Sequence, residues 1–134
     1  MRLEVFIDGA SRGNPGPSSV GVVISDGSGR VLKEHGRRIG AGTNNVAEYT
    51  ALLDALDLCR ELGGSDIRIH SDSQLLVRQI KGLYKVKKPR LANLMARARE
   101  KMRGFACVEF THVPRERNRE ADRLANQALD SAQT

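Results

Sequence analysis

Between Val20 and Ile39 the chain reads VGVVISDGSGRVLKEHGRRI. Val20 to Ser25 and Val31 to Ile39 read as strands, and Asp26-Gly27-Ser28-Gly29 between them carries the residue types that a tight hairpin turn requires. Upstream, Leu3, Val5 and Ile7 alternate with Glu4, Phe6 and Asp8, which is the period of another strand, and Gly9 stops it. Gly9 to Pro17 is dense in glycine and proline and reads as a loop. The first third of the chain is therefore expected to be a three-stranded meander. Downstream the period changes. From Asn45 to Leu62 the residues Leu52, Ala55, Leu56, Cys59 and Leu62 share one helical face, with Gly63-Gly64 as the stop. Asp66 to Ser71 is a short strand with Ile67 and Ile69 on one side, and Ser73 to Lys81 a short helix. Pro89 suits the first position of a helix running to Met102, its apolar side made by Leu91, Leu94, Met95, Ala98 and Met102. Val108 to His112 is the last strand, and a helix from Asn118 to Ala132 turns Ala121, Leu124, Ala125, Ala128 and Leu129 inward. Hairpins followed by strand and helix alternation predict an α/β fold, a mixed sheet of five strands with helices packed on it.

The bulk numbers agree with a folded chain. With 134 residues, 40% hydrophobic and 28% charged, the composition is globular, and the length suits one domain spanning 1–134. No apolar run approaches the ~20 residues of a membrane span. Met1-Arg2-Leu3-Glu4-Val5 enters a strand at once, with no room for a secretory signal, so the expected setting is the cytoplasm; the chain is expected to act as a monomer. Cys59 and Cys107 read as small buried hydrophobes rather than a disulfide, and no Cys/His pair suggests zinc. The net charge of +6 and pI of about 9.8, with Lys and Arg concentrated between Arg78 and Arg123, favour a polyanionic partner.

Four acids stand apart. Each has an ordinary explanation: Asp8-Gly9 can begin a turn, and Asn45-Val46-Ala47-Glu48 fits a capping box with Glu48 reaching back. Asp72 between Ser71 and Ser73 can cap a helix, and Asp122 can pair with Arg119 or Arg123. Placement argues for more. Glu48 lies at helical spacing from Leu52, Ala55 and Cys59, on the stripe that faces the core, and Asp122 shares a face with Ala125 and Leu129. Carboxylates against apolar surface are costly unless paired or metal-bound. Asp8 and Asp72 both follow strands, and sites in α/β sheets gather at the carboxyl ends of strands. Four oxygen donors without cysteine or clustered histidine select Mg²⁺ or Mn²⁺ over zinc. Two such ions about 4 Å apart suit phosphodiester hydrolysis.

Four segments carry a resemblance that spans nearly the whole chain. They are Phe6-Ile7-Asp8-Gly9-Ala10-Ser11 with Gly13-Asn14-Pro15-Gly16-Pro17, Thr43-Asn44-Asn45-Val46-Ala47-Glu48, Ser71-Asp72-Ser73-Gln74, and Asn118-Arg119-Glu120-Ala121-Asp122. In this order and spacing they resemble type 1 ribonuclease H. The resemblance implies a five-stranded mixed sheet whose first three strands are antiparallel, with helices on both faces. It also implies an endonuclease that cuts the RNA strand of RNA/DNA hybrids with two Mg²⁺ ions, Mn²⁺ substituting, and leaves 5′-phosphate and 3′-hydroxyl ends. Asp8, Glu48, Asp72 and Asp122 would be the metal ligands. Asn14, Asn44, Asn45 and Gln74 match positions that contact the minor groove, where amide donors can sense the ribose 2′-OH, and Thr43 matches a position that holds a DNA phosphate.

Two departures qualify this expectation. Many relatives carry a flexible histidine upstream of the last aspartate. His112 has that separation but sits in a strand before Pro114, whereas Arg115 falls in the shortened loop Pro114-Arg115-Glu116-Arg117 and is the preferred auxiliary group. An arginine stays charged, so its role would be electrostatic; the plain alternative is pairing with Glu116 or Glu120. Some relatives also insert a basic, tryptophan-rich helix where this chain has only Lys81-Gly82-Leu83-Tyr84-Lys85-Val86-Lys87-Lys88. Three other activities stay open. They are a DNA-directed nuclease, against which Ala10 counts at the position where exonucleases carry a second acid, a hybrid-binding module without catalysis, and cleavage of RNA duplexes.

Overall fold

The computed structural model describes residues 1–131. Three long strands, β1 (Arg2–Ser11), β2 (Gly16–Asp26) and β3 (Val31–Gly42), are followed by α1 (Asn44–Glu61), β4 (Asp66–Ser71), α2 (Gln74–Ile80), α3 (Pro89–Met102) and β5 (Cys107–His112). A 3-10 turn over Arg115–Arg117 then leads into α4 (Arg119–Ser131). The strands form one sheet in the order β3-β2-β1-β4-β5. β1 runs antiparallel to β2, and β2 to β3, while β4 runs parallel to β1 and β5 parallel to β4. This is the mixed five-stranded sheet expected, with its antiparallel meander first.

Alternation along β1 and β2 decides which helix covers which face. Gly9 pairs with Val20 and Asp8 with Gly21, and residues paired across antiparallel strands point to the same side. At Gly9 a Cβ would lie 2.4 Å from the backbone of Ala47 and Glu48 in α1. At Gly21 it would lie 2.0 Å from the carbonyl oxygen of Ala121 in α4. The two helices therefore press on opposite faces, each so closely that only glycine fits beneath it. Ser19, also on the α4 face, donates its hydroxyl to the Ala125 carbonyl.

The α1 face holds the main core. Leu3, Val5 and Ile7 of β1, Val20, Val22 and Ile24 of β2, and Ile67 and Ile69 of β4 meet Leu52, Ala55, Leu56 and Cys59 of α1. Buried Tyr49 donates its hydroxyl to Gln79 Oε1 at 2.7 Å, tying α1 to α2. Asp54 fastens α1 to β3, accepting from Arg37 Nε at 2.7 Å and lying 3.0 Å from His35 Nε2. No helix among the described residues is long and apolar enough to cross a membrane.

Several expected boundaries move. The Gly9–Pro17 stretch is loop only in its middle: β1 continues to Ser11 because Gly9, Ala10 and Ser11 keep pairing with Val20, Ser19 and Ser18. β3 likewise extends to Gly42, opposite Gly16. Cys59 is buried, but Cys107 is only half-buried within β5, and both are free thiols. In α4, Ala121, Ala125 and Leu129 are buried whereas Leu124 and Ala128 are half-exposed. The expected last helical residue, Ala132, lies outside the described residues.

Candidate active site

The site lies where β4 ends alongside the middle of β1. Parallel pairing sets Ile7 next to Ser71, so Asp8 and Asp72, each one residue further on, emerge together. Asp72 is not spent as a helix cap. Ser73 caps α2 instead, its hydroxyl accepting from Leu76 N at 3.2 Å. Thr43 caps α1 in the same way, accepting from Val46 N at 3.2 Å. That frees Glu48 from the capping box, and the close seat of α1 on Gly9 carries its side chain into the cleft. Asp122 arrives from the first turn of α4 on the other face. It forms no ion pair among the described residues, because Arg123 pairs with Glu120 at 2.9 Å and Glu34 at 3.0 Å.

Carboxylate oxygens of Asp8, Glu48 and Asp72 lie within 4.8 Å of one another. With Asp122 they line a cleft of about 660 Å³ that also takes in Asn44, His112, Arg115 and Asn126. Asp8 is 5% exposed and Glu48 8%, so both acids sit in a poorly solvated place and repel each other. Burial first, then the Asp72 charge and a hydrogen bond with Asp122, push the Asp8 carboxyl up to about 8, while Arg115 pulls it down. Burial, with the charges of Asp8 and Asp72, likewise raises Glu48 well above the usual carboxylate range, against a hydrogen bond with the Gly9 backbone. One oxygen of Glu48, Oε2, is buried with no hydrogen-bond partner among the described residues. An orphaned buried acceptor is costly. Oxygen donors packed this closely, with a lone guanidinium to offset them, fit a hard divalent cation.

The remaining expected residues surround this cluster. The side chain of Asn14 accepts the Asn44 backbone N–H at 3.0 Å, joining the β1–β2 loop to the start of α1. Asn45 and Gln74 stand in the first turns of their helices, and their amides make no hydrogen bond within the described protein. His112 is the last residue of β5, paired with Ser71 and exposed at the cleft wall. Arg115 begins the 3-10 turn and forms no ion pair with Glu116 or Glu120; the acid that feels its charge is Asp8. After α2, Arg78 stacks over the Tyr84 ring at 5.2 Å and donates to its hydroxyl. Lys85, Lys87 and Lys88 follow, exposed and unpaired among the described residues.

This architecture has known counterparts. A family model described as "Reverse transcriptase-like" matches residues 6–128. A ribonuclease HI of Halobacterium salinarum is 47% identical over 131 residues, 98% of this chain and 66% of that protein. The crystal structure of an RNase H1 from the same archaeon superposes with a TM-score of 0.96 at 46% identity, covering 98% of this chain and 99% of the other. The chain belongs to the type 1 ribonuclease H family. Another ribonuclease H1, LC11, crystallised in complex with RNA/DNA hybrid, superposes with a TM-score of 0.94 at 41% identity over 98% of this chain and 99% of its own. A bifunctional protein of Mycobacterium tuberculosis is 44% identical over 98% of this chain, which spans only 36% of that protein's length.

Two polar residues in contact with the acids were not singled out from sequence. Asn118 is 1% exposed and donates its Nδ2 to the Ile7 carbonyl at 2.8 Å and to Asp72 Oδ2 at 3.3 Å. Asn126 donates to the Asp122 carbonyl at 3.0 Å and to Asp122 Oδ1 at 3.2 Å. The spacing of Asn126, four residues after Asp122, is the signal that could have found it.

Proposed function

We propose that this chain hydrolyses the RNA strand of RNA/DNA hybrids, cutting internally and leaving 5′-phosphate and 3′-hydroxyl ends. The observation that carries the reading is the group of three carboxylates from β1, α1 and the end of β4, one of them, Glu48, with an unpartnered buried oxygen. Asp8, Glu48, Asp72 and Asp122 would hold two Mg²⁺ ions, with Mn²⁺ able to substitute. Divalent ions bound there supply water activation and stabilisation of the leaving oxygen.

The chain's own residues do the rest. The four acids concentrate negative charge that a phosphodiester alone would avoid, and a cation held by them would offset it. Arg115, unpaired at the cleft wall, is placed to hold a phosphate oxygen and the charge that grows on it. Asn44, Asn45 and Gln74 offer amide donors at the helix starts, where a 2′-OH can be read as donor or acceptor. Asn14 serves by fixing its loop against α1, and its Nδ2 stays available to the groove. The capping Thr43 keeps its hydroxyl proton free for a DNA phosphate while its oxygen accepts from Val46. Lys85, Lys87 and Lys88 extend the basic surface along which a duplex backbone can lie.

The decisive experiment offers end-labelled RNA/DNA hybrid, RNA duplex, DNA duplex and single strands with Mg²⁺, Mn²⁺ or EDTA. Cleavage of the hybrid's RNA strand that needs the metal is expected, with Asp8→Asn and Asp72→Asn folded by circular dichroism but inactive. Cutting of DNA, cutting that survives EDTA, or wild-type activity in either variant would refute the assignment.

A further inference from the structure

Asp122 does not belong to the tight oxygen group of Asp8, Glu48 and Asp72. Its carboxylate touches that group through Asp8 and is also steadied by Asn126, one turn further along α4. The Asn126 Nδ2 is anchored on the main-chain carbonyl of Asp122 at 3.0 Å and reaches Oδ1 of the same residue at 3.2 Å. The anchor stops the amide from swinging away, and the second bond removes the rotational freedom of the acid. Asp72 is held on the same plan: Asn118 is anchored on the Ile7 carbonyl and donates to Oδ2. A neutral amide is the suitable donor at such a place. Lysine or arginine would orient the acid equally well but would cancel the negative charge that attracts a divalent cation.

We infer that Asn126 is a positioning residue for the cation site. It locks Asp122 in one orientation, engages one carboxylate oxygen and leaves the other for the ion. The inference rests on reading the four acids as metal ligands. A carboxylate already ordered loses little freedom when an ion binds, so removal of the amide weakens the ion before it weakens the substrate.

The test titrates Mn²⁺ calorimetrically into the full chain and its Asn126→Ala, Asn126→Leu and Asn126→Gln variants, with Asp8→Asn as control. Outer partners of metal ligands are worth about 10–100-fold in affinity. Asn126→Ala and Asn126→Leu are expected to weaken Mn²⁺ by that factor, while their melting temperature in EDTA and KM for hybrid stay near wild type. Asn126→Gln, whose amide can still reach a carboxylate four residues back, restores part of the affinity. Wild-type Mn²⁺ affinity in folded Asn126→Ala and Asn126→Leu overturns this role and leaves the metal reading standing. Failure of wild type to bind Mn²⁺ any better than Asp8→Asn overturns both.

Discussion

Asp8 carries an electrostatic burden that a proton or a bound cation relieves. Its carboxyl is raised to about 8 by burial, by the Asp72 charge and by contact with Asp122, with Glu48 beside it and Arg115 opposing. The folded chain therefore keeps a proton that the unfolded chain releases at the ordinary value of 3.8. The contribution of Asp8 to metal-free stability therefore falls as pH rises from that value to about 8, because at this group the folded state binds more protons throughout that window. Asp8→Asn abolishes the penalty. In EDTA it is expected to stabilise the chain by on the order of 2–4 kcal/mol at about pH 8 and by less at about pH 5, read from urea unfolding. A variant less stable than wild type at the higher pH would contradict this account. Arg115 supplies the second prediction at this scale. Arg115→Ala is expected to slow single-turnover cleavage of hybrid by at least about tenfold, whereas His112→Ala, at an exposed strand end, stays near wild type. The opposite ranking transfers the auxiliary role to His112. Glu48 was readable in the sequence because an acid on an apolar stripe violates its pattern. Asn126 was legible only as a residue four positions after Asp122, a spacing shared by many solvated asparagines, and its distance to the carboxylate is what separates it from them.

Two helices reach the cleft because two glycines let them. Gly9 seats α1, which brings Glu48, and Gly21 seats α4, which brings Asp122. A methyl group at Gly21 would fall 2.0 Å from the Ala121 carbonyl oxygen, so the helix must retreat. Gly21→Ala is expected to cost on the order of 2–4 kcal/mol and to weaken Mg²⁺ binding as well, since Asp122 moves with the helix. Gly27→Ala, with nothing within 4 Å of its added Cβ, serves as the control and should match wild type in both measurements. Equal behaviour of the two variants would disprove the seating argument. Element types followed from periodicity, but their ends did not. β1 runs on through Gly9, Ala10 and Ser11 because Ser18, Ser19 and Val20 lie opposite, and a partner strand leaves no mark on the local pattern. The helix starts shifted for a related reason. Thr43 and Ser73 took the caps that Asn45 and Asp72 could also have supplied, and the local sequence offers both choices.

Over the whole molecule, the four acids come from β1, α1, the β4–α2 junction and α4, so 114 residues of chain separate Asp8 from Asp122. Their proximity exists only after the sheet has closed and both helices have docked. The order of events in folding follows from that spacing. Loop closure over such distances comes late, and the cation site should still be unmade at the folding barrier. An ion that binds only the finished cluster lowers the native basin without lowering the barrier. Saturating Mg²⁺ is therefore expected to slow unfolding in stopped-flow urea jumps while refolding keeps its metal-free rate. Refolding that quickens in step with added Mg²⁺ would place the cluster in the nucleus instead. Acids scattered across the chain thus make the ion a latch set after the structure has formed, governing how long the native state lasts rather than how fast it appears.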